Sequence, residues 1–204
     1  MTPDETEELI LQTWDFSDPK ASHDAFKAHA ERVGTSSLPG MALLTQAARA
    51  LGLQGYFSGA AASLDQIETE VSSFTDTSYR QHAQARLAIE RGRVLTSAGD
   101  PSQARPYFEA APGHAEKAGA TGLVIDALHM LAIVASEVDA PEDAVRWNRR
   151  ALVAAESSDA PAARSWRAPL LNNLGWVYHD NGQHAAALEH FERALAAREE
   201  SGTP

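Results

Sequence analysis

The 204-residue chain contains no cysteine, which excludes disulfides, thiolate metal sites and a cysteine nucleophile. It is also poor in β-branched aliphatics: Val and Ile together number 14, against 39 alanines. Strands favour the former and alanine is the best helix former, so the composition speaks against a sheet-rich protein. Basic residues are scarce, with 17 Lys and Arg against 28 Asp and Glu and a net charge of −11. Such a chain repels phosphate backbones, and neither nucleic acid nor a membrane is expected as a partner. The imbalance is deepest early on, with −7 over residues 1–80 and −4 over residues 81–204. No apolar run approaches the roughly 18–20 residues that a membrane span needs. The start, Met1-Thr-Pro-Asp-Glu-Thr-Glu-Glu, lacks the basic and apolar regions of a signal peptide. A soluble cytoplasmic protein is therefore the expectation. A Gly-rich phosphate loop, a Gly-x-Ser-x-Gly elbow and a His-Glu-x-x-His pair are all missing, so no cofactor, no metal and no catalytic residue is assigned.

What is present is periodicity. In the stretch Leu171–Leu195, Leu171, Leu174, Gly175 and Tyr178 fall on one face of a helix. Asn181-Gly182 supplies a left-handed residue that ends that helix, and Ala187, Phe191 and Ala194 form the facing stripe of a second one. The small Gly175 and Ala187 let the two backbones approach, while Tyr178 and Phe191 fill the space beside them.

The same offsets recur upstream. Gly92, Leu95, Gly99, Ala104, Phe108 and Ala111 form one copy, with Asp100-Pro101 opening its second helix. A third copy has Leu128, Leu131, Ala132, Ala135, Ala144 and Ala151, with Asp139-Ala140-Pro141 as its turn. A weaker one has Leu44, Ala48, Leu51, Gly55, Ala60, Leu64 and Ile67, and a degenerate one turns at Ser17-Asp18-Pro19 before Ser22 and Phe26. The equivalent positions Ser22, Ala60, Ala104, Ala144 and Ala187 lie 38, 44, 40 and 43 residues apart.

The residues Leu171, Leu174, Gly175, Tyr178, Gly182, Ala187, Phe191 and Ala194 resemble the signature of a tetratricopeptide (TPR) repeat. The repeat length, Leu171-Asn-Asn-Leu174 and Arg193-Ala-Leu-Ala-Ala-Arg-Glu199 are similar to the kinesin-light-chain-like subgroup. The resemblance implies an all-α, right-handed α-α superhelix of about five helix pairs, a TPR-like solenoid. One repeat domain is expected over residues 1–204, with approximate repeats 3–40, 41–78, 79–120, 121–160 and 161–204. Gly34–Gly40 and Glu156–Pro161 read as linkers between pairs, and Ala185–Glu199 as a last helix whose outer side is polar through Glu189, Arg193 and Glu200.

In TPR proteins the first helices of the pairs line a concave groove. Carried over to this chain, the groove positions include Asn172, Asn173, Trp176 and His179 in the last repeat, His129 and Met130 in the one before, and Gln46 in the weaker copy at Leu44–Ile67. Asn173 leads this set. An asparagine amide both donates and accepts, and so can pair with a peptide backbone whatever its side chains; the alternative is a solvated helix surface or a local cap. Trp176 and Met130 would be apolar anchors on the groove, although helix-spaced aromatics more often belong to a core.

Arg49, Arg86 and Arg93 also fall on groove positions and form a candidate anion site, since guanidinium groups hold carboxylate or phosphate bidentately. The competing reading is intramolecular pairing, with Glu90 at i+4 from Arg86. The expected function is a non-enzymatic interaction module or scaffold that binds an extended peptide or a helix of another protein. Alternatives are a sensor of a small anionic ligand through the arginine cluster, or a homodimeric scaffold.

Overall fold

The computed structural model describes residues 3–138 and 140–201. Among these residues every regular element is a helix: α1 (Pro3–Thr13), α2 (Pro19–Val33), α3 (Leu38–Leu53), α4 (Phe57–Val71), α5 (Thr77–Ser97), α6 (Pro101–Lys117), α7 (Thr121–Glu137), α8 (Pro141–Glu156), the single turn α9 (Pro161–Arg164), α10 (Arg167–Asp180) and α11 (His184–Ser201). The expected all-α, helix-pair class is what the chain adopts.

Local chemistry sets several of the starts. The carboxylates of Asp18, Asp76 and Asp100 accept the backbone N–H three residues on, at 2.9, 2.9 and 3.1 Å. Each such cap contributes about 1 kcal/mol. Pro19 and Pro101 then occupy the first turn, where no N–H is needed. The turn expected at Asp139-Ala140-Pro141 falls partly outside the described residues at Asp139, and Pro141 opens α8. The linker read at Gly34–Gly40 is shorter than expected. The Ser37 hydroxyl accepts the Gly40 N–H at 3.1 Å, with Pro39 in the first turn, so α3 has already begun by Leu38 and Gly40 lies inside it.

The chain divides into two compact units, Met1–Ala118 and Gly119–Pro204. In unit 1, α2 packs on α3, α4 on α5 and α3 on α5, while α5 and α6 form the most extensive pair. Met41, Ala48, Ala60, Leu64, Ile67, Val71, Leu87 and Val94 make one core cluster. Ile10, Phe26, Ala30, Ala42, Leu43 and Ala47 make a second. In unit 2, α7 packs on α8, α8 on α10 and α10 on α11.

Two glycines carry the close approach of paired helices. A Cβ on Gly92 would lie 2.5 Å from the Phe108 ring, and one on Gly175 would lie 2.5 Å from the Phe191 ring. These are the same repeat position in α5–α6 and in α10–α11, one in each unit. Gly182, at φ +70°, takes the left-handed turn after α10 that the sequence indicated. The outer side of α11 is less polar than expected: Leu188 and Leu195 are each 59% exposed. Leu152 sits in the Leu195 register on α8 and is buried, and α8 is a helix on which a following helix, α10, packs.

Candidate functional site

In unit 1 the structure brings Arg49 and Arg93 to one buried carboxylate and Arg86 to another carboxylate. Glu90 on α5 is 1% exposed. Its Oε1 accepts from Gln46 Nε2 at 2.8 Å and from Arg93 Nη1 at 2.7 Å, and Arg49 Nε lies 4.0 Å from Oε2. Arg86, the i+4 candidate, instead pairs with the carboxylate of Glu7 on α1. Gln46 and Glu90 are 44 residues apart, one repeat length, and so are Arg49 and Arg93. The network is therefore one repeat position bonded to its successor.

Gln46, read as a groove residue, lies in the interior at 2% exposure, and its amide oxygen accepts from Trp14 Nε1 at 3.0 Å. Trp14 stacks on Phe16 with ring centroids 4.7 Å apart, and the Arg49 guanidinium lies 5.1 Å from the Trp14 ring and 5.6 Å from that of Phe16. Sequence reasoning missed Glu7 and Trp14 as members of this cluster. The Glu7–Arg86 pair spans 79 residues, a separation that no periodic pattern marks.

Burial pushes the Glu90 carboxyl up, but Arg93, Arg49, the Gln46 amide and Arg86 together outweigh it and hold its pKa below the ordinary 4.5. Because the folded value is the lower one, the unfolded chain takes up the proton first. The stabilisation is complete above pH 4.5 and fades as pH falls through the folded value. Thermal melts of wild type and Glu90→Gln should accordingly differ most near neutral pH and converge as the solution is acidified below the ordinary carboxyl value of 4.5. A gap that widens on acidification would contradict the assignment of Glu90 as ionised. Beside Arg86, a cleft lined by Leu38, Met41, Thr45, Ile67 and His82 is mostly apolar. Burial lowers the His82 pKa from its ordinary 6.5, so the imidazole is neutral at pH 7 and adds no cation there.

In unit 2 the expected groove residues lie on α7 and α10. The Asn173 side-chain amide lies 3.2 Å from His129 Nδ1, which joins the two first helices. The His129 ring is 5.3 Å from the Trp166 ring, which stands at the start of α10. Met130 is buried, whereas Asn172 and Asn173 are half-buried. Trp176 is 52% exposed and meets Phe191 edge-on at 5.4 Å and His179 at 5.5 Å. His179 is exposed beside Asp180, 3.1 Å away, with the His184 ring at 5.3 Å. Among the described residues, no three His, Asp or Glu side chains are grouped so as to hold a metal ion, and no helix is long and apolar enough to cross a membrane.

Helix hairpins whose small residue at one fixed position receives an aromatic ring from the partner helix define the class of the fold, a TPR-like helical repeat. Residues 160–200 match the tetratricopeptide repeat family. Solved structures extend the fold likeness over the chain. BtubC (BKLC) from P. vanneervenii is similar with a TM-score of 0.69 and 19% identity, over 92% of this chain and 75% of that one. A putative kinesin light chain of Podospora anserina with nearly identical TPR-like repeats gives 0.61 and 18%, over 98% and 95%. MamA of RS-1 gives 0.56 and 15%, over 97% and 95%. No curated protein matches the sequence. TPR-like folds are in general protein–protein interaction modules, and TPR proteins are typically non-catalytic scaffolds.

Proposed function

We propose that the chain is a peptide-binding interaction module whose contact surface is the α7–α10 face of unit 2. The observation that supports it is Trp176, a large apolar side chain 52% exposed, one turn from the half-buried Asn173. An exposed indole beside an amide provides an anchor for a partner side chain and a donor–acceptor pair for its backbone. Asn172, His129 and His179 add polar groups around that pair, while Met130, read as an apolar anchor on the groove, is buried and offers none. The His129 contact orients the Asn173 amide before a partner arrives, which lowers the cost of ordering it on binding.

In unit 1 the reading is different. Gln46, Arg49 and Arg93 act on one another through Glu90, and Arg86 acts on Glu7, so we assign these residues to holding the face of α3 and α5 rather than to ligand capture. The test is selection of extended peptides from a displayed library against the full chain, followed by isotherms on variants. Asn173→Ala is expected to weaken a selected peptide by about 1–2 kcal/mol, and Trp176→Ala by about 2 kcal/mol or more, with little change in melting temperature. Wild-type affinity in both variants would overturn the assignment of this face.

A further inference from the structure

We propose that the exposed face of α8 is a second docking surface, for an acidic segment of a protein partner. In a chain with 28 acidic residues against 17 basic ones, α8 carries three arginines within five residues: Arg146, Arg149 and Arg150. Arg146 pairs with Asp143 at 2.9 Å. Among the described residues, Arg149 and Arg150 pair with no carboxylate. Arg149 donates to the Tyr178 hydroxyl at 2.6 Å and lies 6.0 Å from that ring. Arg150 lies 5.0 Å from the Trp147 ring, and Arg146 lies 4.8 Å from the same ring.

These contacts fix the cations without consuming what they can offer. A guanidinium over an indole meets the ring through its own face, which leaves its in-plane N–H donors for another partner. That fork matches the two oxygens of a carboxylate. The indole holds Arg150 in place, so less side-chain entropy is lost when an anion binds. On the next turn Val153 is 62% exposed in line with Arg149, which sets an apolar contact beside the charges.

The pattern therefore fits a segment with two neighbouring carboxylates and an adjoining apolar side chain. It suits a polyanion poorly: two cations free of carboxylate partners make a small patch, Glu142 is exposed on the same helix, and the net charge of −11 repels an extended phosphate backbone or an anionic bilayer.

The probe is a fluorescein-labelled peptide with two adjacent glutamates flanked by leucines, titrated with the full chain by anisotropy; glutamines replace the glutamates in the control. The glutamate peptide should bind saturably below about 1 mM, the control at least tenfold more weakly. Arg150→Gln leaves the Tyr178 contact untouched and should weaken the glutamate peptide about tenfold; Arg149→Gln with Arg150→Gln should weaken it further, with no change in far-UV circular dichroism. Equal binding of the two peptides, unchanged binding in Arg150→Gln, or no saturable binding would overturn the proposal. So would a single-stranded RNA or phosphatidylserine vesicles binding as tightly as the peptide through the same arginines, since the partner would then not be a protein carboxylate.

Discussion

Glu90→Gln should destabilise unit 1 by about 3–5 kcal/mol, the cost typical of removing one partner from a buried charge cluster. The substitution keeps the size of the side chain and an oxygen that can accept from Gln46, so little of the loss would come from packing. What it removes is the counter-charge. Arg93 has its guanidinium 2.7 Å from Oε1, and Arg49 stands 4.0 Å from Oε2, so the variant leaves two partly buried cations facing a neutral amide at a position closed to solvent. Glu90→Gln combined with Arg93→Gln should recover part of the loss, because it also removes one of the stranded charges. Urea unfolding at neutral pH is the measurement. A Glu90→Gln unfolding free energy within about 1 kcal/mol of wild type would show that the cluster is dispensable to the fold.

Gly175→Val should cost unit 2 roughly 3 kcal/mol, at the upper end of what overpacking does. Replacing a helical glycine ordinarily gains up to about 1 kcal/mol of helix propensity, so the sign of the effect is diagnostic. Here the new Cβ would arrive 2.5 Å from Phe191 Cε1 and 2.6 Å from Cδ1, and the ring already meets Trp176 edge-on at 5.4 Å. Either the ring leaves its place or α10 and α11 move apart. Phe191→Ala in the same chain removes the obstruction, so the double variant should be more stable than the sum of the two single losses. Gly92→Val against Phe108 should behave alike, because the geometry is the same. A Gly175→Val chain that melts at or above wild type would mean that the two helices do not approach as described.

The parts of the fold that were readable in the sequence are those fixed by local chemistry or by repetition. Asp18-Pro19 and Asp100-Pro101 announce helix starts by themselves, and both act as caps. Gly92 and Gly175 could be matched through their offsets to Phe108 and Phe191, and each lies under its ring. The start of α3 at Leu38 was less visible, since Gly40 reads as a loop residue until the Ser37 cap is known. The unit 1 cluster was half legible. The three arginines were recognisable as one constellation, and Glu90 as a possible intramolecular partner. Which arginine it takes depends on how α1 lies on α3, and that brings Glu7 to Arg86 and Trp14 to Gln46 across 79 and 32 residues. The arginines of α8 carried no periodic signal, and their significance rests on Arg149 and Arg150 having no carboxylate partner among the described residues, which only the folded chain reveals.

The most direct test of the interaction face reads the four tryptophans separately. In a chain labelled at the indole nitrogens, the N–H resonance of Trp176 is assigned by comparison with Trp176→Phe, and a peptide selected against the full chain is then titrated in. Binding on the α7–α10 face should shift or broaden the Trp176 resonance progressively to saturation, with Trp166 beside His129 following and Trp14, whose indole N–H is bonded to Gln46 in unit 1, unmoved. Saturable binding that leaves Trp176 in place while Trp14 or Trp147 moves would contradict the assignment of the contact surface.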